Sequence, residues 1–426
     1  SWITQWGRVK GRWISGAIIN PRRPGNSYLL QIGGSSCLTY VNTATICLYT
    51  IGANIRAKAT EQAVTMRSHP DNADLPTCFI RSDGQLAARL PTFANENAAL
   101  VKLYGAMLLT RTFDEKAVAL QRTGRLGTFA SSLGQEAVSI GTASAMRTED
   151  ILLPSFREQG AMLWRGVSPK ELFLYWGGDE RGSDFAGPRG DFPICIPVAS
   201  HAPHAAGAAL AIKLRQESRV AVAIMGDGAT SKGDFYEALN IAGVWRLPVV
   251  FVIANNQWAI SVPVSRQTAA RTLAHKAAAA GIASARVDGN DVIAVRAEVG
   301  EAIDRALGGE GATLIEALTY RLSDHTTVDD ARRYRSDAAV SEQWPKEPIA
   351  RLRGYLINAS SWSKADEEAL ITDCRERIER AANEYLSTPP LEPDAIFEHS
   401  FAALPKDLLD QRRGIAMAKA TGPRDD

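Results

Sequence analysis

The sequence predicts an α/β fold in which a mostly parallel central sheet is flanked by helices and followed by a helical carboxyl-terminal tail. Two apolar runs, residues 220–225 and 249–253, are too short and too β-branched for helices and are typical of buried strands. Between them, residues 232–245 carry Phe235 and Leu239 at helical spacing, which predicts a crossover helix. In open α/β sheets of this kind, ligands bind at the carboxyl ends of the strands.

The composition is that of an ordinary globular protein. At 426 residues the chain can bury one large core or two modest ones. Its 48 Lys and Arg nearly balance its 47 Asp and Glu, so charge gives no reason to expect nucleic-acid or membrane binding. The five cysteines are scattered and never form a CxxC pair, which indicates neither a disulfide framework nor a zinc site and favours a reducing compartment. No apolar run reaches the length of about 18 residues that a spanning helix needs.

The first 60 residues differ from the rest, because they contain Lys and Arg but no Asp or Glu. A transit peptide would be similarly poor in acids but should show an amphipathic helix, which is not evident. A functional basic arm is a second interpretation. We favour a third, in which residues 1–65 are a disordered or non-native extension and the natural protein begins near Met66.

The remaining chain divides into an arm at residues 66–96, an α/β domain at 97–345 and a helical region at 346–426. The arm is punctuated by Pro, Asp and Asn, and residues 177–193 have the Gly, Pro and charge content of a loop. Ser363 is expected to cap the last long helix, and the final dozen residues look loose. Further helices are predicted at Asn97–Arg122, 131–147, 197–213, 272–281, Val292–Leu307, 349–357 and 364–385, and further strands at 285–288 and 313–320.

Polar motifs follow the two strands of the central unit. Gly226-Asp227-Gly228 follows the first, and Asn255-Asn256 follows the second. Glycines permit close approach of a ligand to the backbone and positive φ. A carboxylate beside a phosphate requires a hard cation between them, and the oxygens of Asp227 and Asn256 are ligands of the kind that Mg²⁺ or Ca²⁺ accepts. A Walker loop and a dinucleotide fingerprint are both excluded, because glycines are missing before Lys232 and at Ser231.

A third polar segment, residues 321–330, follows the strand predicted at 313–320 and so lies at the same edge of the sheet. It contains His325, whose pKa near neutrality would let it move protons. Glu136, at the start of the helix predicted at 131–147, is a buried carboxylate that needs a partner, so structural and catalytic roles are both open.

GDG followed by about 26 residues and NN is the thiamine-diphosphate signature, and the chain resembles the alpha subunits of the 2-oxo acid dehydrogenase decarboxylating components. The likeness extends to RTFDEKAVALQRTGRLGTFASSLGQEA, PSFREQGAMLWRG, GGDERGSDFAGPRG, ASHAPHAAGAALA and YRLSDHTTVDDARRYR, in the family's order. It implies the thiamine-diphosphate-binding fold. The cofactor-binding residues that it implies are Arg157, Val198, Gly226, Asp227, Gly228, Ala229, Asn256 and His325; the implied Mg²⁺ ligands are Asp227, Asn256 and the carbonyl of Trp258; the implied catalytic residues are His325 and Arg321.

The resemblance also implies roles and one departure. Arg157 is expected at the cofactor's diphosphate and the backbone near Val198 at its aminopyrimidine ring. His325 would steer the intermediate and assist acyl transfer, with Arg321 anchoring its loop. The family usually has tyrosine where Phe156 stands, so Phe156 is expected only to pack. Thr326 occupies a place comparable to the site phosphorylated in eukaryotic relatives.

The partners implied are a beta subunit, in an α₂β₂ heterotetramer, and the lipoyl groups of a dihydrolipoamide acetyltransferase. The beta subunit would supply the glutamate that activates the cofactor. Pyruvate is the expected substrate, because residues 177–193 and 263–282 most resemble bacterial pyruvate dehydrogenases; branched-chain 2-oxo acids and acetoin are the alternatives. The expected location is the bacterial cytoplasm, with the mitochondrial matrix as alternative. A non-enzyme reading, a phosphate- or nucleotide-binding regulator, would require the glycine patterns that the sequence lacks.

Overall fold

The computed structural model describes residues 3–9, 12–19, 31–32, 35–36, 75–398 and 401–421. The chain divides into two units, Ser1–Arg67 and Ser68–Asp426. In the first unit, β1 (Ile3–Val9) pairs antiparallel with β2 (Arg12–Ile19), and β3 (Gln31–Ile32) pairs antiparallel with β4 (Ser35–Ser36). The interpretation of residues 1–65 as an extension stays a prediction.

The second unit is built on a five-stranded parallel sheet. Its strands are β5 (Ile151–Leu153), β6 (Ala221–Gly226), β7 (Val249–Asn255), β10 (Ala283–Asp288) and β11 (Thr313–Leu318); the short β8 (Trp258–Ala259) and β9 (Val262–Pro263) pair separately. The order across the sheet is β10-β11-β7-β6-β5, and every neighbouring pair is parallel. Parallel strands need crossover connections, which the intervening helices supply. The α/β fold expected from the sequence is confirmed.

The central strands β6 and β7 are buried on both faces, which explains why each is almost entirely apolar. Successive side chains of a strand point to opposite faces. Val222 and Ile224 therefore belong to one core, whereas Ala223 and Met225 belong to the other. The edge strand β10 is less buried and carries Ser284, Arg286 and Asp288.

Eleven α-helices are described. They are α1 (Asn97–Arg122), α2 (Glu136–Ala145), α3 (Gln159–Arg165), α4 (Pro169–Trp176), α5 (His201–Leu214), α6 (Gly233–Trp245), α7 (Val292–Leu307), α8 (Asp337–Ser341), α9 (Pro348–Asn358), α10 (Lys364–Leu386) and α11 (Lys406–Thr421). The bounds predicted for α1 and α7 are reproduced, and α6, α9 and α10 agree within two residues at each end. Ser363 caps α10 through a capping box with Asp366, as the pattern predicted. In the described part of the chain, no helix has the length and apolarity needed to cross a bilayer.

Four predicted segments differ. The helix predicted at residues 131–147 begins only at Glu136, and the helix predicted at 197–213 begins at His201, because a turn precedes each. The helix predicted at residues 272–281 is a run of 3-10 turns over Ala274–Ala280, where the backbone N–H of Ala274 donates to buried Glu316 at 3.0 Å. The last dozen residues are not uniformly loose, because α11 continues to Thr421.

Three strands end side by side at the carboxyl edge of the sheet. Gly226 of β6 is paired with Ala254 of β7, and Asn255 of β7 is paired with Leu318 of β11. The backbone N–H of Arg321 then donates to the carbonyl oxygen of Asn256 at 3.3 Å. The three polar segments identified in the sequence therefore meet at one edge.

Candidate active site

The turn after β6 presents a buried carboxylate. Asp227 is 1% exposed, and its Oδ2 accepts a hydrogen bond from Nε2 of Gln267 at 2.6 Å. Burial raises the pKa of the Asp227 carboxyl, and its hydrogen bond with Gln267 opposes that shift. Thr230 Oγ1 donates to the carbonyl oxygen of Asp227 at 2.8 Å, and the buried ammonium of Lys276 donates to the carbonyl oxygen of Thr230 at 2.7 Å. These hydrogen bonds of Thr230 and Lys276 hold the backbone of the turn that contains Asp227.

Gly226 and Gly228 differ in what they require. Neither has a positive φ, so that part of the expectation is wrong. A Cβ at Gly228 would lie 2.8 Å from Cβ of Ala259, so packing excludes a side chain there. At Gly226 the φ of −76° suits any residue, and an added Cβ would meet no atom within 4 Å. Space in front of Gly226 is what the close approach of a ligand needs.

Asn256 and Trp258 supply oxygens beside Asp227. Nδ2 of Asn256 donates to Oε1 of Gln135 at 2.9 Å, and Oδ1 of Asn256 accepts from the backbone N–H of Trp258 at 3.1 Å. The carbonyl oxygen of Trp258 accepts from Nη1 of Arg321 at 3.2 Å. Each of these oxygens has a second lone pair for a cation.

These donors fit the magnesium site that the sequence predicts. One carboxylate, one amide oxygen and one carbonyl oxygen are hard ligands, and Mg²⁺ commonly takes one or two carboxylates together with substrate phosphates. The buried Asp227 carboxylate has a neutral hydrogen-bond partner, so a cation beside it would offset the burial. Within the described ranges, no group of three or more His, Cys, Asp or Glu could hold a metal. The predicted site needs no such group.

Arg157 joins the loop that contains His325 to the turn before α2. It is 6% exposed, and its Nη1 donates to the carbonyl oxygen of Ser131 at 2.6 Å. Its Nη2 contacts both the carbonyl oxygen of His325 at 2.7 Å and Nδ1 of the same residue at 2.9 Å. These contacts use three of the five N–H groups of a guanidinium, which leaves two for ligand oxygens. Burial and the neighbouring Arg321 lower the pKa of Arg157 to about 10.

Arg321 anchors the loop through its own hydrogen bonds. Its fully buried guanidinium donates to the carbonyl oxygen of Ile260 at 2.9 Å and to the hydroxyl of Tyr334 at 2.7 Å. The Tyr334 hydroxyl in turn donates to Oδ2 of Asp329, which also accepts from the backbone N–H of His325 at 2.9 Å. The loop is therefore held by charges within it and by carbonyl groups beside it. Thr326 lies half-buried in this loop.

His325 is neutral in this environment, contrary to the expectation of a pKa near neutrality. Burial, Arg157 and Arg321 lower the pKa of its ring to about 4. Guanidinium nitrogens can only donate, so Nδ1, which lies 2.9 Å from Arg157 Nη2, must accept. The proton of the neutral ring is therefore on Nε2. The ring packs edge-on against Phe156 with centroids 5.9 Å apart, which agrees with a packing role for Phe156.

The backbone is strained around the site. Six described non-glycine residues have positive φ, and three of them lie at the site. Ala199 follows Val198, Gln257 follows Asn256, and Ile260 carries a carbonyl oxygen that accepts from Arg321. Such residues cluster at ligand-binding sites, where the surrounding structure holds them. Val198 itself lies in the turn before α5 and is half-exposed.

Sequence reasoning missed the turn formed by residues 131–135. The Asp114 carboxylate accepts from Oγ of Ser131 at 2.8 Å, and burial raises the pKa of Asp114 to about 7. Gly134 has a φ of +87°, and the Ser-Ser-Leu-Gly composition was a turn signal. Glu136 accepts from Arg111 Nε at 2.8 Å and from the N–H of Gly134 at 3.0 Å, which favours its structural interpretation. The turn supplies two partners of site residues, Ser131 for Arg157 and Gln135 for Asn256.

A parallel doubly covered sheet with a carboxylate, an amide and a buried arginine at its carboxyl edge defines a thiamine-diphosphate-type α/β protein. The family model of the dehydrogenase E1 component matches residues 104–394. The chain belongs to this family, whose members depend on thiamine diphosphate. The resemblance to E1 alpha subunits of the 2-oxo acid dehydrogenases is confirmed.

Curated relatives are similar over most of the chain. The 3-methyl-2-oxobutanoate dehydrogenase subunit alpha of Mycobacterium tuberculosis is 43% identical over 313 residues, which cover 74% of this chain and 85% of the relative. The pyruvate dehydrogenase E1 component subunit alpha of Acholeplasma laidlawii is 42% identical over 319 residues, covering 73% of this chain and 91% of the relative. The protein of the same name from Bacillus subtilis is 38% identical over 325 residues, covering 76% and 87%.

Proposed function

We propose that this chain is the alpha subunit of a pyruvate dehydrogenase (acetyl-transferring), which decarboxylates pyruvate and transfers the acetyl group to lipoyl groups of an acetyltransferase. The observation that supports it best is the convergence of Asp227, Asn256, Arg157 and His325 at one sheet edge. When bound, thiamine diphosphate supplies the electron sink for the loss of CO₂ from a 2-oxo acid.

Three oxygens of the chain are proposed to hold Mg²⁺. They belong to the Asp227 carboxylate, the Asn256 amide and the Trp258 carbonyl. Arg157 has two unused N–H groups for diphosphate oxygens, and Gly226, Gly228 and Ala229 form the turn along which the diphosphate would lie. Arginine suits this task because its guanidinium stays charged and presents its N–H donors in a fixed planar arrangement.

His325 is proposed to assist acyl transfer as a hydrogen-bond donor. Opening a lipoyl disulfide leaves a thiolate, and the neutral His325 can donate a hydrogen bond to that sulfur from Nε2, away from the two guanidinium groups. The proton that the thiolate finally takes comes from solvent, because a neutral imidazole is too weak an acid to release its own. Arg157 and Arg321 fix the ring by donating to Nδ1 at 2.9 and 3.4 Å. The two arginines therefore orient the Nε2–H donor rather than compete with it.

Exposed apolar residues near the site support the proposed beta subunit, in an α₂β₂ heterotetramer. Val198, Ile260 and Val262 are 46%, 55% and 41% exposed, and each lies within a few residues of a proposed cofactor or metal contact. Exposed apolar groups concentrated at one place mark sites of protein contact. The lipoyl-bearing acetyltransferase is the second proposed partner. The relatives named above are bacterial, and a location in the bacterial cytoplasm is proposed on that ground.

The substrate is tested by a panel of 2-oxo acids. The full chain, co-expressed with its beta subunit, should decarboxylate pyruvate in preference to 3-methyl-2-oxobutanoate, with dependence on thiamine diphosphate and Mg²⁺. Cleavage of acetoin, which has no carboxyl group to lose, is assayed separately and should be slower. Preference for the branched acid would support the second candidate, a branched-chain 2-oxo acid dehydrogenase, which the relative from M. tuberculosis favours at 43% identity. Calorimetry with nucleotides in place of the cofactor tests the regulatory alternative, which predicts nucleotide binding.

A further inference from the structure

Asn256 has a fixed orientation that depends on a residue far away in the sequence. A side-chain amide offers an oxygen at one end and an N–H donor group at the other, and only the oxygen can bind a cation. Here the nitrogen end donates to Oε1 of Gln135 at 2.9 Å, whereas the oxygen end accepts from the N–H of Trp258 at 3.1 Å. The second contact identifies the oxygen independently, because a backbone N–H can only donate.

Water cannot take the place of Gln135. The two side chains are buried, with Gln135 3% and Asn256 4% exposed. A buried amide that loses its acceptor leaves an unsatisfied donor, which costs more than an ordinary hydrogen bond contributes. After such a loss, the N–H of Trp258 is, among the residues that the structure describes, the one remaining hydrogen-bonding contact of this amide that opposes its rotation, which would turn the nitrogen towards the place of the cation.

The turn that carries Gln135 is itself rigidly placed. Its Gly134 has a φ of +87°, and an added Cβ would lie 2.7 Å from the carbonyl oxygen of Tyr320. The carbonyl oxygen of Gly134 accepts from Oγ1 of Thr319 at 2.8 Å, just after β11. The backbone N–H of Gln135 donates to the carbonyl oxygen of Ser132 at 2.8 Å. Gln135 is thus presented from a fixed backbone to the strand end that carries Asn256.

We propose that Gln135 is a positioning residue for the metal site: its Oε1 accepts from Asn256 Nδ2 and so keeps the Asn256 oxygen directed at the divalent cation. The inference rests on the proposed function, because that function makes Asn256 a metal ligand. Mutation of a residue that is hydrogen-bonded to a metal ligand typically changes metal affinity or activity by about 10- to 100-fold.

The test measures metal affinity directly. The full chain, co-purified with its beta subunit, is titrated with Mn²⁺ in the presence of thiamine diphosphate, and free Mn²⁺ is followed by electron paramagnetic resonance. Gln135→Met keeps the length and removes the acceptor, so Mn²⁺ affinity should fall by about 10-fold or more. Gln135→Glu keeps an acceptor oxygen and should restore the affinity to within a few-fold of the parent.

Gln159→Met is the matched control. Gln159 is also a buried glutamine, and its Nε2 supports the same loop through the carbonyl oxygen of Ala130 at 3.0 Å, but its contacts do not include Asn256. It should leave Mn²⁺ affinity within a few-fold of the parent. Equal losses of Mn²⁺ affinity in Gln135→Met and Gln159→Met would show that both variants disorder the turn at residues 131–135 in general, and would overturn the proposal. A Gln135→Met variant with the parent's Mn²⁺ affinity would also overturn it.

A second variant covers the case in which Gln135→Met assembles poorly. In an Asn256→Asp background either oxygen can face the cation, so the orientation that Gln135 provides no longer matters. Adding Gln135→Met there should change Mn²⁺ affinity by less than about 3-fold, a non-additivity expected only for directly coupled residues. A loss of the same size in both backgrounds overturns the proposal. A parent complex without metal-dependent cofactor binding would instead overturn the proposed function, and the role of Gln135 with it.

Discussion

Substitution of His325 should separate cofactor binding from acyl transfer. In His325→Ala, Arg157 keeps its contacts with the carbonyl oxygens of Ser131 at 2.6 Å and of residue 325 at 2.7 Å, because both are backbone atoms. Only the contact with Nδ1 is lost, so affinity for Mg²⁺ and thiamine diphosphate should stay within a few-fold. Lipoyl-dependent turnover should fall by about 10²-fold or more, the loss typical of removing a positioned hydrogen-bond donor, or roughly 2.7 kcal/mol in the barrier.

His325→Asn makes the comparison sharper. The asparagine side chain is long enough to place a hydrogen-bonding group near the position of Nδ1. It is too short to place one at the position of Nε2. Turnover with lipoyl acceptor should therefore fall as in His325→Ala, while decarboxylation measured with an artificial electron acceptor should fall much less. Calorimetry on the same preparations gives the cofactor affinity. Complete loss of cofactor binding would show that His325 is structural, and unchanged lipoyl-dependent turnover would show that it takes no part.

The low pKa of His325 adds a pH test. Its value of about 4 in the folded chain lies below the ordinary value near 6.5, so the unfolded chain binds the proton more readily between these pH values. The stability that neutral His325 contributes is present above pH 6.5 and is lost as the pH falls towards 4. His325→Asn should lose less stability over this window than the parent in thermal denaturation, and a parallel loss in both would contradict the assigned shift.

Four further predictions concern the rest of the molecule. Asp227→Ala or Asn256→Ala should abolish Mg²⁺-dependent binding of thiamine diphosphate in calorimetry, because the diphosphate would lose its bridging cation; parent-like binding by Asp227→Ala would refute the metal site. The purified alpha chain alone should be nearly inactive and should form an α₂β₂ complex with its beta subunit in light scattering; robust decarboxylation by the isolated chain would refute a shared site. Deletion of residues 1–65 should leave cofactor binding, assembly and turnover intact. A large loss of any of them would show that this segment is a functional basic arm. Asp114 has a pKa raised to about 7, so its contribution to stability is lost as the pH rises from about 4 through 7; Asp114→Asn should raise the melting temperature over the parent's more at pH 8 than at pH 5, and an equal difference at both would refute the shift.

The parts of the fold that the sequence predicted are those whose signal is local. The strand Val249–Asn255 is a continuous apolar run because both faces are buried, and the helix Lys364–Leu386 starts at a capping box. The order of motifs along the chain also indicated which strand ends carry polar residues. These features need only periodicity, caps and a topology rule, all of which are present in short stretches of sequence.

What the sequence could not predict depends on contacts between distant segments. Residues 272–281 have the composition of a helix, yet Ala274–Ala280 form 3-10 turns, from which Lys276 reaches the carbonyl oxygen of Thr230. Gln267 binds Asp227 from 40 positions away, and nothing in its neighbourhood marks it as a partner. Tertiary contacts of this kind override local propensity. The lowered pKa of His325 belongs with them, since it follows first from burial of the ring and then from Arg157, which lies 168 positions away in the sequence.

The sheet edge proposed to bind the metal and the loop that contains His325 are both hydrogen-bonded to one turn, residues 131–135. Asn256 is bonded to Gln135, which lies four residues from Ser131 in the same turn; Ser131 is bonded to Arg157, and Arg157 to His325. Each link is buried or half-buried, so a displacement at one end cannot be absorbed by exchange with water. We expect a change in how Asn256 faces a cation to alter the position from which Arg157 holds the His325 ring. The turn at residues 131–135, which carries none of the predicted ligands, is the element that connects the two ends.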